Sequence, residues 1–301
     1  MENEKAYIIT GPTSGIGYET AVELAKHGTV VLVGRKREKL EQVQKIIKNN
    51  GQNALSIVCD ISDITSVKQA AQHIIQLDLT IGGLLNNAGI MQQKARMSAQ
   101  GWDMTFATNY LGAFALTEAL VPHLPGGANV VFIGSAIEDP ERKPAKMMGM
   151  KGGRYISAEA SARGEWQKGG AKIPGIDAYA TSKQCMLAAA MFFARETPGL
   201  HFNVVEPGIT RGTNLGGEDA SALMRFIFGY IMAVFPPFSR YKSTPKKSAK
   251  VITKVLTDTS GKTGIYFDEK GQPMLGSELS RDTNFQERVV AETRALLSKV
   301  K

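Results

Sequence analysis

Ala6-Tyr7-Ile8-Ile9-Thr10-Gly11-Pro12-Thr13-Ser14-Gly15-Ile16-Gly17 decides the architecture. A short apolar run, Ala6 to Thr10, gives way to glycines spaced Gly-x3-Gly-x-Gly. A helical pattern follows, with Ala21, Val22, Leu24 and Ala25 on one side. The order is strand, glycine turn, helix. Glycines in such a turn let the backbone approach a pyrophosphate closely. The first amides of the helix and the positive end of its dipole then favour the anion. Gly11, Thr13, Ser14, Gly15, Ile16 and Gly17 are therefore candidate cofactor contacts.

The next elements repeat the alternation that a doubly wound parallel sheet requires. Thr29 to Val33 reads as a second strand and ends at Gly34-Arg35-Lys36-Arg37, where a dinucleotide fold meets the adenosine ribose. An NAD site would usually carry a carboxylate there. Consecutive cations suit a 2'-phosphate instead, through charge-assisted hydrogen bonds, so Arg35 and Lys36 point to NADP(H). Leu40, Val43, Ile46 and Ile47 keep helical spacing up to a stop at Asn49-Asn50-Gly51. A third strand, Ala54 to Cys59, leads to Asp60 and Ile61, where Asp60 is placed to accept from an adenine amino group. Asp63 is read as the cap of the next helix. Gly83 to Leu85 then leads into Asn86-Asn87-Ala88-Gly89. Small residues at a strand's carboxyl end let a cofactor lie against the backbone, which makes Asn87, Ala88 and Gly89 candidates.

The chemistry is carried farther along. Met104 to Leu124 reads as a long apolar helix with Asn109 inside its buried pattern, and a buried amide needs partners. Asn129 to Gly134 is a fifth strand with Ser135 at its end. Tyr179-Ala180-Thr181-Ser182-Lys183 sets a phenol and an amine four residues apart, on one face of a helix. A free phenol titrates near pH 10 and shuttles protons poorly at neutral pH. A nearby ammonium is expected to lower that value and make Tyr179 a general acid/base.

Composition is compatible with this reading. With 301 residues, 43% hydrophobic and 21% charged, the chain can bury one large α/β core, and no compositional shift divides it. Cys59 and Cys185 lie in apolar runs rather than at metal or disulfide spacings, so no metal is expected and a reducing compartment fits. Met1 to Lys5 runs straight into the first strand without the apolar core of a signal peptide. The expectation is a cytoplasmic protein. The net charge of +8 suits an anionic cofactor or a solvated surface and is not read as a nucleic-acid footprint.

Thr10-Gly11-x3-Gly15-x-Gly17, Asn86-Asn87-Ala88-Gly89, Asn109, Ser135 and Tyr179-x3-Lys183, in that order, resemble the short-chain dehydrogenase/reductase family. The resemblance runs from Thr10 through Pro207-Gly208 to Phe267. It implies one Rossmann-type domain of about seven strands. It also implies that Ser135 binds the substrate oxygen, Tyr179 transfers the proton, Lys183 also holds the nicotinamide ribose, and Asn109 anchors a relay water. Pro207, Gly208 and Thr210 would face the nicotinamide. Ser135 and Tyr179 are 44 positions apart, far more than in many relatives, so residues 137–176 are an insertion, expected as an irregular excursion over the site. Long insertions of this kind resemble a branch with retinol dehydrogenase-like and protochlorophyllide reductase-like enzymes.

The apolar stretch Leu223 to Phe238, within a presumptive lid region 212–245, is too short to span a membrane. It reads either as a lid over an apolar pocket or as a segment on a membrane surface. The expected activity is NADP(H)-dependent interconversion of a carbonyl and an alcohol on a lipophilic small molecule, with monomer and homo-oligomer both open. The rival readings are an enone reductase and a non-catalytic NADP(H)-binding sensor.

Overall fold

Strands that are apolar on both faces, such as Tyr7-Ile8-Ile9 and Val30-Val31-Leu32-Val33, can only be satisfied in a sheet covered on both sides. The computed structural model, which describes residues 5–210 and 241–300, builds that sheet. Its strands are β1 (Ala6–Thr10), β2 (Thr29–Gly34), β3 (Ala54–Val58), β4 (Ile81–Asn86), β5 (Asn129–Ile133), β6 (His201–Val205), β9 (Ile265–Phe267) and β10 (Pro273–Met274). A separate parallel pair joins β7 (Ile209–Thr210) to β8 (Lys242–Ser243). The main sheet has the order β10-β9-β6-β5-β4-β1-β2-β3. Seven strands run parallel, and β10 pairs antiparallel with β9 at the edge. It is one domain, with the expected seven parallel strands plus a short eighth.

Helices fill both faces. They are α1 (Gly15–Leu24), α2 (Arg37–Asn49), α3 (Ile64–Gln76), α4 (Met104–Phe106), α5 (Gly112–Leu120), α6 (Lys143–Met147), α7 (Ala158–Ala162), α8 (Ile176–Glu196), α9 (Pro245–Leu256), α10 (Glu278–Arg281) and α11 (Thr283–Leu297). Strand alternation sorts the core into two clusters. Ala6, Ile8, Val130 and Phe132 pack with residues of α3, α5, α8 and α11. Tyr7, Ile9, Val131 and Ile133 pack with α1, α2 and α9. The α2 helix stops where Gly51 turns left-handed at φ +77°, and Asp63 caps α3 by accepting from the Thr65 amide.

The long helix expected over Met104 to Leu124 is interrupted. A π-helical turn, Ala107–Leu111, separates α4 from α5, and the final residues form a 3-10 turn, Val121–His123. Such turns often mark functional sites, and this one carries Asn109. Gly112 follows it, and a Cβ there would run into the Ile61 carbonyl.

Residues 137–176 hold more order than an irregular excursion. Tyr155 is buried, its hydroxyl donating to Glu292 of α11 at 2.6 Å, and the Ala158 amide reaches the same carboxylate at 3.0 Å. Arg154 donates its amide to the Thr181 hydroxyl of α8 at 2.7 Å. The segment thus forms part of the core beside α8 and α11. Its other end builds a small third apolar cluster, in which Ala145, Met150 and Ile176 are joined by Met91, Ile137 and Met148.

The 223–238 segment, and all of the lid region except its last residues, lie outside the described residues. Among those described, no helix is long and apolar enough to cross a membrane. Cys59 and Cys185 are buried free thiols.

Candidate active site

The glycine turn is welded to the end of β4 through Thr10. The Thr10 hydroxyl accepts from the Asn87 and Ala88 amides at 3.0 and 2.9 Å. The Asn87 side-chain amide returns two bonds, to the Thr10 and Gly11 carbonyls at 2.8 and 3.1 Å. Gly11 sits at φ +68°, and a Cβ on Gly17 would strike both the Gly11 carbonyl and the Asn87 amide. Gly11, Gly17, Asn87 and Ala88 are therefore one packed unit. Ser14 occupies the N-cap of α1 without capping it through its side chain, which leaves donors of the first turn to an outside acceptor. Gly15 (φ +56°) opens that helix, and Thr13 and Ile16 are half-buried beside it.

Arg35 and Lys36 lie exposed between β2 and α2, with no ion pair among the described residues. At the next strand end, Asp60 turns one carboxylate oxygen to the Ser62 amide and hydroxyl, at 2.9 and 2.7 Å. Ile61 beside it is buried.

The second half of the site is assembled around α8. Gly175, left-handed at φ +77°, starts this helix and puts Tyr179 and Lys183 on the face toward β5. The Lys183 ammonium donates to the Ile133 carbonyl at 2.7 Å and lies 5.6 Å from the centroid of the Tyr179 ring. Ser135, just beyond β5, stands close enough to the Tyr179 phenol to favour its ionised form. Asn109 accepts from the Ile90 amide at 2.8 Å and donates to the Ile90 carbonyl at 2.9 Å and the Ser182 hydroxyl at 3.1 Å. The missing Cβ of Gly89 leaves its backbone close to both partners: that position is 3.5 Å from Asn109 Oδ1 and 3.8 Å from Lys183 Nζ. Gly89, Asn109, Ser135, Tyr179 and Lys183 thus converge, although 94 positions separate the first from the last.

At the end of β6, the Pro207 carbonyl accepts from Ser248 at 2.8 Å. Gly208 is left-handed at φ +72°, with Tyr241 and Glu269 where its Cβ would be. The Thr210 hydroxyl is turned back onto the Pro207 and Gly208 carbonyls.

A sequence profile described as short chain dehydrogenase matches residues 5–147. Dehydrogenase/reductase SDR family member 12 of Bos taurus is 32% identical over 207 residues, 68% of this chain. That match spans 60% of the relative's own length. Retinol dehydrogenase 13 of Homo sapiens is 27% identical over 97% of this chain and 84% of the relative. The chain belongs to the short-chain dehydrogenase/reductase family. Within it, the chain falls in the retinol dehydrogenase-like branch. A solved Shigella flexneri short-chain dehydrogenase, complexed with NADP, superposes with a TM-score of 0.62 at 26% identity, over 89% of this chain and 98% of its own.

The electrostatics of the site correct one expectation. Lys183 was expected to pull the Tyr179 phenol down. Instead, burial pushes it up to about 12, against the lowering effect of Ser135, and the Glu206 carboxylate adds to the rise. The same burial pushes Lys183 down to about 8. The Lys183 ammonium, itself buried and donating to the Ile133 carbonyl, does not bring the phenol below its ordinary value. Asn109 likewise has its side chain committed to Ile90 and Ser182, so it acts first as a clamp between β4's exit and α8.

Four contributors went unassigned at the level of sequence. Thr10 and Ser182 act through hydrogen bonds that join distant segments, and neither has a spacing of its own that announces this. Arg142 and Glu206 form a largely buried ion pair at 2.8 Å. An acid directly before Pro207-Gly208, at the end of an apolar strand, was the available signal.

Proposed function

We propose that this protein is an NADP(H)-dependent oxidoreductase that interconverts a carbonyl and an alcohol on a lipophilic small molecule. The observation that carries this reading is the convergence of Ser135, the Tyr179 phenol and the buried Lys183 ammonium, 5.6 Å from the Tyr179 ring centroid, on the Gly89 backbone.

The donor set fits a dinucleotide. The glycine turn of Gly11, Gly15 and Gly17, with the Asn87-Ala88-Gly89 exit of β4, offers backbone amides and close approach to a pyrophosphate. Arg35 and Lys36, exposed and free of ion pairs among the described residues, suit a 2'-phosphate. The Shigella protein complexed with NADP supports the same choice. Lys183, beside Tyr179, would hold the nicotinamide ribose, and Pro207, Gly208 and Thr210 would face the nicotinamide. The nicotinamide, when bound, supplies or accepts the hydride. Ser135 holds the substrate oxygen by a hydrogen bond. Tyr179 gives that oxygen its proton in reduction, and its raised pKa keeps the phenol protonated at neutral pH, the form reduction requires. Lys183 stabilises the phenolate left behind. The apolar cluster of Met150, Ile176, Met91 and Ile137, which follows the Ser135 turn and opens α8, supports a lipophilic substrate, as does likeness to a retinol dehydrogenase.

The test is NADPH consumption across ketones, aldehydes, quinones and enones. Turnover of ketones or aldehydes is expected. Turnover of enones alone would move the chemistry to a carbon-carbon double bond, and tight NADPH binding with no turnover would leave a sensor.

A further inference from the structure

Glu206 is a buried carboxylate that the proton-transfer set does not use. Its backbone amide continues the sheet by donating to the Phe267 carbonyl at 2.8 Å. Two segments meet its carboxylate. The Arg142 guanidinium, within the 137–176 insertion, donates to it at 2.8 Å, and the backbone amide of Ala136, the residue after Ser135, is near enough to favour its charged form. The same nitrogen lies 3.2 Å from the Met274 sulfur, and the buried Nε has no hydrogen-bond partner among the described residues. Three parts of the active-site rim therefore meet on one side chain. They are the Ser135 turn, the start of the insertion, and the strand end that continues into Pro207-Gly208.

A buried ion pair is costly to assemble and is weak evidence for stability in itself. Its worth here lies in register, because truncating either partner strands a charge in the interior. Further titratable groups face the pair. Glu269 opposes ionisation of Glu206, Tyr241 and Tyr266 act on Arg142, and Tyr266, whose buried hydroxyl has no partner among the described residues, and Tyr179 feel the Glu206 charge. Two carboxylates lie on the Ser135 turn: Glu138, which accepts from the Ser277 amide and hydroxyl at 2.8 and 2.5 Å and also feels the Arg142 charge, and Asp139 next to it.

We propose that Glu206 is a positioning residue, clasped by Arg142, that pins the Ser135 turn and the insertion to the end of β6 and thereby fixes Ser135 against Tyr179. Its negative charge also opposes ionisation of the phenol. The second statement rests on the oxidoreductase reading given above; the clasp does not.

The experiment uses the full chain in three variants: Glu206→Gln, Arg142→Met, and the double variant, which buries no charge and guards against simple misfolding. In alcohol oxidation, where Tyr179 must be ionised, activity rises with pH. Removing the Glu206 charge should move the midpoint of that rise down by roughly one pH unit. At neutral pH, kcat for carbonyl reduction should fall about tenfold while KM for NADPH stays within about twofold, as expected for loss of alignment at Ser135. Trypsin should cut at Lys143, Lys146, Lys151 or Arg154 several-fold faster in Arg142→Met and in the double variant, with matched circular dichroism. An unmoved midpoint in Glu206→Gln, or an insertion cut no faster in the folded double variant, overturns the inference. If the parent protein shows no NADP(H)-linked turnover, the oxidoreductase reading fails instead, and the proteolysis still decides the clasp.

Discussion

Tyr179 and Lys183 show why a side chain's role cannot be separated from its burial. The phenol is raised because a phenolate in the interior has lost its water, and one hydroxyl from Ser135 does not replace that hydration. Tyr179→Phe deletes only the transferable proton. It should lower kcat by about 10²- to 10⁴-fold while NADPH titration changes little, and a variant with near-parent kcat would remove Tyr179 as the acid. Lys183 has a stability signature as well. Its pKa falls from the ordinary 10.5 to about 8 in the folded protein. Between those values the unfolded chain binds the extra proton, so stability rises with pH across that window, and below it the burial cost is complete. Lys183→Met should therefore be more stable than the parent at pH 7, by about 1–2 kcal/mol after loss of the Ile133 hydrogen bond. The gap should close toward pH 10.5, while activity is lost at every pH. Urea unfolding at pH 7 and pH 10 checks it, and a less stable variant at pH 7 would contradict the assignment.

Among the elements, the glycine turn and the π-helical turn do the positioning, and both work by close approach of backbones. Gly17 faces the Gly11 carbonyl and the Asn87 side-chain amide, with the latter 2.5 Å from where a Cβ would stand. Neither can retreat, because Asn87 is tied to Thr10 and Gly11. Gly17→Ala should weaken NADPH binding at least tenfold and lower stability by about 1–3 kcal/mol, read by fluorescence titration and thermal unfolding. Asn109 owes its place to the π turn, which shifts helical register so that the side chain meets both polar groups of Ile90 and still reaches Ser182. A uniform α-helix through Met104 to Leu124, as periodicity alone suggested, would not mark that shift.

On the scale of the whole molecule, the residues proposed to set coenzyme choice and substrate class follow different strands of the sheet. Arg35 and Lys36 follow β2, whereas the third apolar cluster gathers around the exit of β5 and the start of α8. NADPH should bind more tightly than NADH, and Arg35→Asp should narrow or reverse the difference by removing a phosphate partner and adding a repulsive charge. Equal affinities in the parent protein would refute the 2'-phosphate reading. On the substrate side, kcat/KM across a homologous series of aldehydes or ketones should rise with added carbons until the pocket fills. The gain corresponds to about 25 cal/mol for each Å² of apolar surface hidden. A flat series would count against an apolar pocket.

Order along the chain settled much of this protein without coordinates. Apolar strands alternating with helical patterns determine a parallel sheet covered on both sides, because no other arrangement buries both strand faces. The local motifs, Gly11 to Gly17, Asn87 to Gly89, Ser135, and Tyr179 with Lys183, were legible because each depends on spacing within one turn or at one strand end. What remained hidden depends on contacts between segments far apart in sequence. Thr10 meets Asn87, Asn109 meets Ile90 and Ser182, Tyr155 meets Glu292, and Arg142 meets Glu206. The direction of the Tyr179 pKa was hidden for a related reason: spacing shows that an ammonium shares the helix face, but desolvation depends on everything packed around the phenol, and only the tertiary structure decides which effect is larger.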